Sequence, residues 1–97
     1  MRFIFGNKSK TDYSKVVRMG YVIQEYLIQN GIFDARPKDL MTLLIDKGFF
    51  KFDVREGKPL RDILRDLDDN NLLYLLPQIR VDRLEASRQW FFNAYKY

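Results

Sequence analysis

The sequence predicts an α+β fold in which three helices are followed by a C-terminal β-hairpin. Apolar residues recur at helical spacing up to position 67, and from position 79 they alternate with polar residues. The length of 97 residues fits one domain, and folding at this size buries roughly 65% of the extended chain's surface. We therefore expect one modest core within a domain over residues 12–97, preceded by a flexible or extended arm over residues 1–11.

The first predicted helix runs from about Asp12 to Asn30. Asp12 or Thr11 can cap its start, and Gly31 stands where a left-handed C-terminal cap belongs. Gly20 costs this helix about 1 kcal/mol relative to Ala, and we interpret it as a close packing contact. The helix has one apolar face, formed by Val16, Met19, Ile23, Tyr26 and Leu27.

Two shorter helices follow. The second is predicted from Pro37, whose fixed φ suits the first helical position, to Gly48. The third is predicted from Pro59 to the acidic pair Asp68 and Asp69, because carboxylates at a helix C-terminus oppose the helix dipole. Their apolar stripes are Leu40, Leu43 and Leu44 on the second helix and Leu60, Ile63, Leu64 and Leu67 on the third.

Residues 72–95 leave two alternatives open. Polar and apolar residues alternate over 78–82, and Trp90 and Phe92 share one parity, which predicts two strands around a polar turn at 84–87. At about 100° per residue, however, the apolar side chains of 81–95 also share a helical face. We favour the hairpin, in which Trp90 and Phe92 cover the open side of the helical core. Burial of each aromatic ring would contribute on the order of 1.5–3 kcal/mol.

This order of elements resembles the winged helix-turn-helix superfamily. The matching stretches are PKDLMTLLIDKGFF as the second helix, GKPLRDILRDLDDNNLLYLLP as the third helix running into the first wing strand, and RQWFFNAY as the returning strand. The resemblance implies that the third helix docks in the major groove of DNA and that the hairpin is the wing. It also implies a homodimer on a palindromic site, serving transcriptional or mobile-element regulation.

The composition narrows the chemistry further. The chain has no Cys and no His, so a thiolate nucleophile, the commonest general base and the commonest metal ligand are missing. We therefore expect a non-catalytic protein without a metal, a cofactor or a small-molecule substrate.

The 17 basic and 13 acidic side chains leave a net charge of +4, which favours an anionic partner. No signal peptide or membrane span is apparent, so we expect a cytoplasmic protein.

Three groups of basic residues are candidates for contacts with DNA. They are Lys58, Arg61 and Arg65 on the third helix, Arg80, Arg83 and Arg88 on or near the hairpin tip, and Lys8 and Lys10 in the arm. Asp62, Asp66 and Asp69 lie beside the helical group, so a salt-bridged surface is the competing interpretation there. Near the hairpin tip only Asp82 and Glu85 oppose the arginines in sequence. The prediction requires those arginines to be free of carboxylate partners.

An alternative function is a winged-helix-like module for protein–protein interaction or dimerisation without nucleic-acid binding. The chain has more aromatic residues than one small core holds, and exposed aromatic patches commonly mark interfaces. The best candidate for such a patch is the run Phe49–Phe50–Lys51–Phe52.

Overall fold

The computed structural model describes residues 11–95, which form three helices and a hairpin. The elements are α1 (Tyr13–Asn30), α2 (Pro37–Asp46), α3 (Lys58–Asp69), a 3₁₀ turn (Leu73–Leu75), β1 (Ile79–Arg83) and β2 (Arg88–Phe92). The α+β fold class with its C-terminal antiparallel hairpin is confirmed, and the helical alternative for 72–95 is wrong. The apolar run at 72–76 does not lead directly into a strand, because it forms the 3₁₀ turn. The predicted arm, with Lys8 and Lys10, lies almost entirely outside the described residues.

Both ends of α1 and the start of α2 follow the predicted capping residues, whereas α2 ends at Asp46 and not at Gly48. At the start of α1 a carboxylate oxygen of Asp12 accepts from the N–H of Ser14 at 3.0 Å and of Lys15 at 3.2 Å. Gly31 ends this helix with φ 59°, in the left-handed region. Pro37 is the first residue of α2, whereas α3 begins one residue before Pro59 because Gly57 is its N-cap.

The core lies between the three helices and the inner face of the hairpin. Trp90 and Phe92 are fully buried, so the prediction that they cover the helices is confirmed. A Cβ at Gly20 would stand 3.2 Å from Leu76 Cδ2, so this glycine marks a close contact between α1 and the segment after α3. The other buried apolar residues are Val16, Met19, Ile23, Leu27, Ala35, Leu40, Met41, Leu44, Leu60, Leu64, Leu67 and Leu76.

The link between α1 and α2 contacts the edge of β2 through a single bridge at Ala35. Ala35 and Phe92 exchange two backbone hydrogen bonds, of 3.0 and 2.8 Å. On its other edge β2 pairs with β1 in the register Ile79↔Phe92 to Arg83↔Arg88. Therefore β2 is held on both sides near Phe92, which fixes the hairpin against the start of α2. Over residues 11–95 no helix is long and apolar enough to cross a membrane.

Candidate functional site

The net charge of the protein lies outside the described part of the chain. Residues 11–95 carry 13 basic and 13 acidic side chains, so the excess of four comes from Arg2, Lys8, Lys10 and Lys96. The folded domain is therefore electrically balanced. Its attraction for a charged partner depends on which of its cations are paired and which are not.

Two of the three wing arginines are bound to the C-terminal end of α3. Arg83 makes a bidentate pair with Asp68, with both N···O distances 2.8 Å. Arg88 Nη1 donates to Asp68 at 2.9 Å and to Asp69 at 3.0 Å. The expectation that only Asp82 and Glu85 oppose these arginines is wrong, because the hairpin folds back onto α3. The pairs also place positive charge at the helix end where carboxylates alone are unfavourable.

The Asp68 carboxylate depends on these arginines. Its side chain is only 12% exposed. The hydrogen bond from Arg83 lowers the pKa of Asp68 below its ordinary value, against the opposing effect of burial, and the same bond raises the pKa of Arg83. A phosphate that took both arginines would have to displace the three hydrogen bonds that they donate to Asp68. Arg83 and Arg88 therefore serve the fold.

The remaining predicted residues are paired more weakly. Arg80 contacts Asp34 at 3.4 Å and Asp82 at 3.2 Å, and all three side chains are about half exposed. On α3, Asp62 pairs with Lys58 at 2.8 Å and lies 4.0 Å from Arg65. Exposed pairs of this kind contribute about 0–1 kcal/mol, so a phosphate can replace their carboxylates. The competing interpretation of α3 as a salt-bridged surface is confirmed for Lys58 and Arg65.

Arg61 has a different environment, because its guanidinium group donates hydrogen bonds to the backbone of the loop that precedes α3. Its Nη1 donates to the carbonyl of Glu56 at 2.6 Å and its Nη2 to that of Arg55 at 3.0 Å. Both residues have left-handed backbone angles, φ 53° for Arg55 and 52° for Glu56. Such conformations cost of order 1–3 kcal/mol each in non-glycine residues and cluster at functional sites. Arg61 thus maintains a strained loop while its charge has no carboxylate partner among residues 11–95.

Gly57 completes the left-handed segment and brings two helix starts together. Its φ is 100°, and a Cβ there would stand 2.7 Å from the backbone nitrogen of Lys38 in the first turn of α2. No other residue fits this contact without displacing the backbone. The loop before α3 is therefore pressed against the beginning of α2.

A cavity of about 370 Å³ lies at this junction, and we call it the basic pocket. It is lined by Arg36, Pro37, Lys38, Arg55, Glu56, Arg61, Arg88 and Trp90. Glu56 is its one carboxylate. Apart from Arg88, none of its cations pairs with a carboxylate in the described part of the chain. The Arg36 guanidinium lies 4.7 Å from the Phe91 ring, and its Nε is buried without a hydrogen-bond partner there.

This arrangement suits an oxyanion. Guanidinium groups donate several hydrogen bonds in one plane to phosphate or carboxylate oxygens, and Lys38 adds a mobile point charge. At the start of α2 the positive end of the helix dipole is already compensated, because the Asp39 carboxylate accepts a hydrogen bond from the Arg36 N–H at 2.9 Å. The first turn of α3 contains no acidic residue. The positive potential of the pocket therefore comes from its side chains and from the start of α3.

Sequence reasoning identified Arg61 and Arg88 but missed Arg36, Lys38 and Arg55. These residues come from two segments about 20 positions apart, and no local periodicity relates them. The turn signal at 56–58 was the one hint that the chain bends sharply here. No protein-family model, curated protein or solved structure matches this chain.

Proposed function

We propose that the domain binds nucleic acid without catalysis, with duplex DNA as its target, and that the basic pocket makes the principal phosphate contacts. The observation that carries this proposal is that one cavity is lined by four basic residues without carboxylate partners among residues 11–95, namely Arg36, Lys38, Arg55 and Arg61. The wing tip has a smaller part than the sequence suggests, because Arg83 and Arg88 are bound to α3. The regulatory role implied by the winged-helix resemblance belongs to this proposal.

The other candidate residues extend the contact area. Arg80 and Arg65 are about half exposed and weakly paired, so each can exchange its carboxylate for a phosphate. Lys8 and Lys10 add charge in the arm. Contacts of this kind fix the position of a protein on DNA but carry little sequence information, so binding should be weakly specific and steeply dependent on salt.

The test measures affinity for a random-sequence duplex between about 50 and 200 mM salt, where each neutralised phosphate contributes a slope of about −0.9 in log K against log salt. The double variant Lys38→Gln/Arg55→Gln should reduce that slope by about 2 and weaken binding at every salt concentration. Neither side chain forms a hydrogen bond or ion pair within residues 11–95, so the fold should be retained.

The matched control is Lys47→Gln/Lys51→Gln, which removes the same charge from exposed positions away from the basic pocket. It should leave the slope nearly unchanged. The proposal is wrong if the natural sequence shows no binding at about 50 mM salt with micromolar protein. An equal loss in both double variants would show that net charge, and not the pocket, determines binding.

A second candidate function is protein–protein interaction or dimerisation, which the exposed aromatic residues favour. Tyr21, Phe33 and Tyr74 are each more than 70% exposed. The predicted patch at 49–52 is smaller than expected, since Phe49 and Phe50 pack against the core and Phe52 alone is exposed. Concentration-dependent association that persists at high salt, without DNA binding, would favour this function over the first.

A further inference from the structure

The basic pocket has an excess of charge that one phosphodiester does not balance. Arg36, Lys38, Arg55 and Arg61 stand against Glu56 alone, so the site carries about three positive charges without counting the paired Arg88. A phosphodiester brings one negative charge. A phosphomonoester brings about 1.5 to 2 at neutral pH and offers three strong acceptor oxygens. The charge balance therefore favours a dianion.

The charge pattern of α3 supports the same conclusion. Both ends of this helix carry side chains of the unfavourable sign, with Lys58 and Arg61 near the start and Asp68 and Asp69 at the end. At the end, Arg83 and Arg88 provide the compensation. At the start, Asp62 compensates Lys58, but no described carboxylate compensates Arg61. An anion in the basic pocket would supply the missing charge.

The shape of the pocket is that of a site for a discrete group. At about 370 Å³ it falls at the low end of the range for small-molecule sites, roughly 300–1,000 Å³. One wall is formed by Arg55 and Glu56, whose carbonyls accept hydrogen bonds from Arg61. Trp90, almost fully buried, also lines it. The concave form accommodates a terminal group more readily than a link in the middle of a stiff duplex.

We infer that the basic pocket binds a phosphomonoester dianion, which in a nucleic acid is the terminal phosphate of a strand. The first part concerns the pocket alone, whereas the second rests on the proposed function. Both can be followed with the protein as it exists, because Trp90 is the only tryptophan of the chain and lines the site.

The first experiment titrates the protein with inorganic phosphate at constant ionic strength and follows tryptophan fluorescence. We expect a saturable change that weakens at least tenfold in Lys38→Gln/Arg55→Gln and stays unchanged in Lys47→Gln/Lys51→Gln. Glu56→Gln removes the opposing carboxylate and should strengthen binding about threefold. Misfolding cannot produce this gain. A linear response, or equal responses in all four proteins, overturns the inference.

The second experiment compares a short duplex with 5′-phosphate ends against the same duplex with 5′-hydroxyl ends. The phosphorylated duplex should bind at least fivefold more tightly, and Lys38→Gln/Arg55→Gln should abolish the difference. Equal binding of both duplexes overturns the assignment to strand ends. If inorganic phosphate binds and neither duplex does, the pocket site stands and the proposed function fails. Tighter binding of a phosphoserine peptide than of the duplex end would also overturn the nucleic-acid assignment.

Discussion

Asp68 illustrates how tertiary contacts change the effect of a single residue. In isolation it is unfavourable, because it places a negative charge at the C-terminal end of α3. In the folded protein it accepts two hydrogen bonds from Arg83 and one from Arg88. These contacts stabilise the ionised carboxylate and attach the hairpin to the helix. Asp68, whose charge is unfavourable at the end of α3, thereby connects this helix to the hairpin.

The pH dependence of stability should reveal this contact. The folded-state pKa of Asp68 lies below its ordinary value of 3.8, so the stabilisation is complete above that value and is lost as the pH falls through the folded-state pKa. Asp68→Asn should lower the free energy of unfolding by roughly 1 kcal/mol near neutral pH. The difference from the natural protein should shrink in acid. Urea denaturation between about pH 7 and pH 2 measures it, and a difference that is constant over this range would contradict the assignment.

At the scale of the elements, β2 separates two environments. Its inner face buries Trp90 and Phe92 in the core, while the ring of Phe91 on the outer face is contacted by two guanidinium groups. Arg80 lies 4.4 Å and Arg36 4.7 Å from the centre of that ring. The alternation along one strand thus serves both the core and the positioning of Arg36 beside the basic pocket.

The two faces should respond very differently to truncation. Phe92→Ala leaves a cavity and should reduce the free energy of unfolding by about 3–5 kcal/mol, a large part of the total for a domain of this size. Phe91→Ala removes two cation–π contacts at a half-buried ring and should cost about 1–2 kcal/mol. Denaturant unfolding of the two variants gives the comparison directly. Similar losses would mean that the hairpin does not close the core in the way described.

At the scale of the whole molecule, the described domain and the terminal segments differ in charge. The described domain has no net charge, and Lys8 and Lys10 belong to the excess of four outside it. Under the proposed function, long-range attraction therefore depends on the termini, whereas the place of contact depends on the basic pocket, four of whose cations have no carboxylate partner among residues 11–95.

Removal of the arm charges should consequently change the salt dependence of duplex binding. Lys8→Gln/Lys10→Gln should reduce the slope by up to about 2, as expected for two lost phosphate contacts, and phosphate binding followed by tryptophan fluorescence should not change. The same binding series used for the pocket variants measures both effects. An unchanged slope would exclude the arm from the interface.

Sequence patterns predicted the three helices and favoured the hairpin, but they did not predict the 3₁₀ turn at Leu73–Leu75 or the basic pocket. The caps at Asp12 and Gly31, the start of α2 at Pro37 and the buried parity of Trp90 and Phe92 all follow from neighbours within a few positions. Among the eight candidate residues, Arg83 and Arg88 have fold-supporting partners that lie 15 to 20 positions away. Such partners are invisible to any local pattern.

By itself, the sequence determined the order of the three helices and favoured a hairpin after them, because capping, turn chemistry and hydrophobic periodicity act over short distances along the chain. Only the tertiary structure decided which charges are neutralised and which remain available. In the folded protein Arg83 and Arg88 of the hairpin form ion pairs with carboxylates of α3. The close approach of Gly57 to the start of α2 accompanies a cavity that is lined by Arg36, Lys38, Arg55 and Arg61. Electrostatic pairing depends on distance in space, and that distance exists only once the elements have packed.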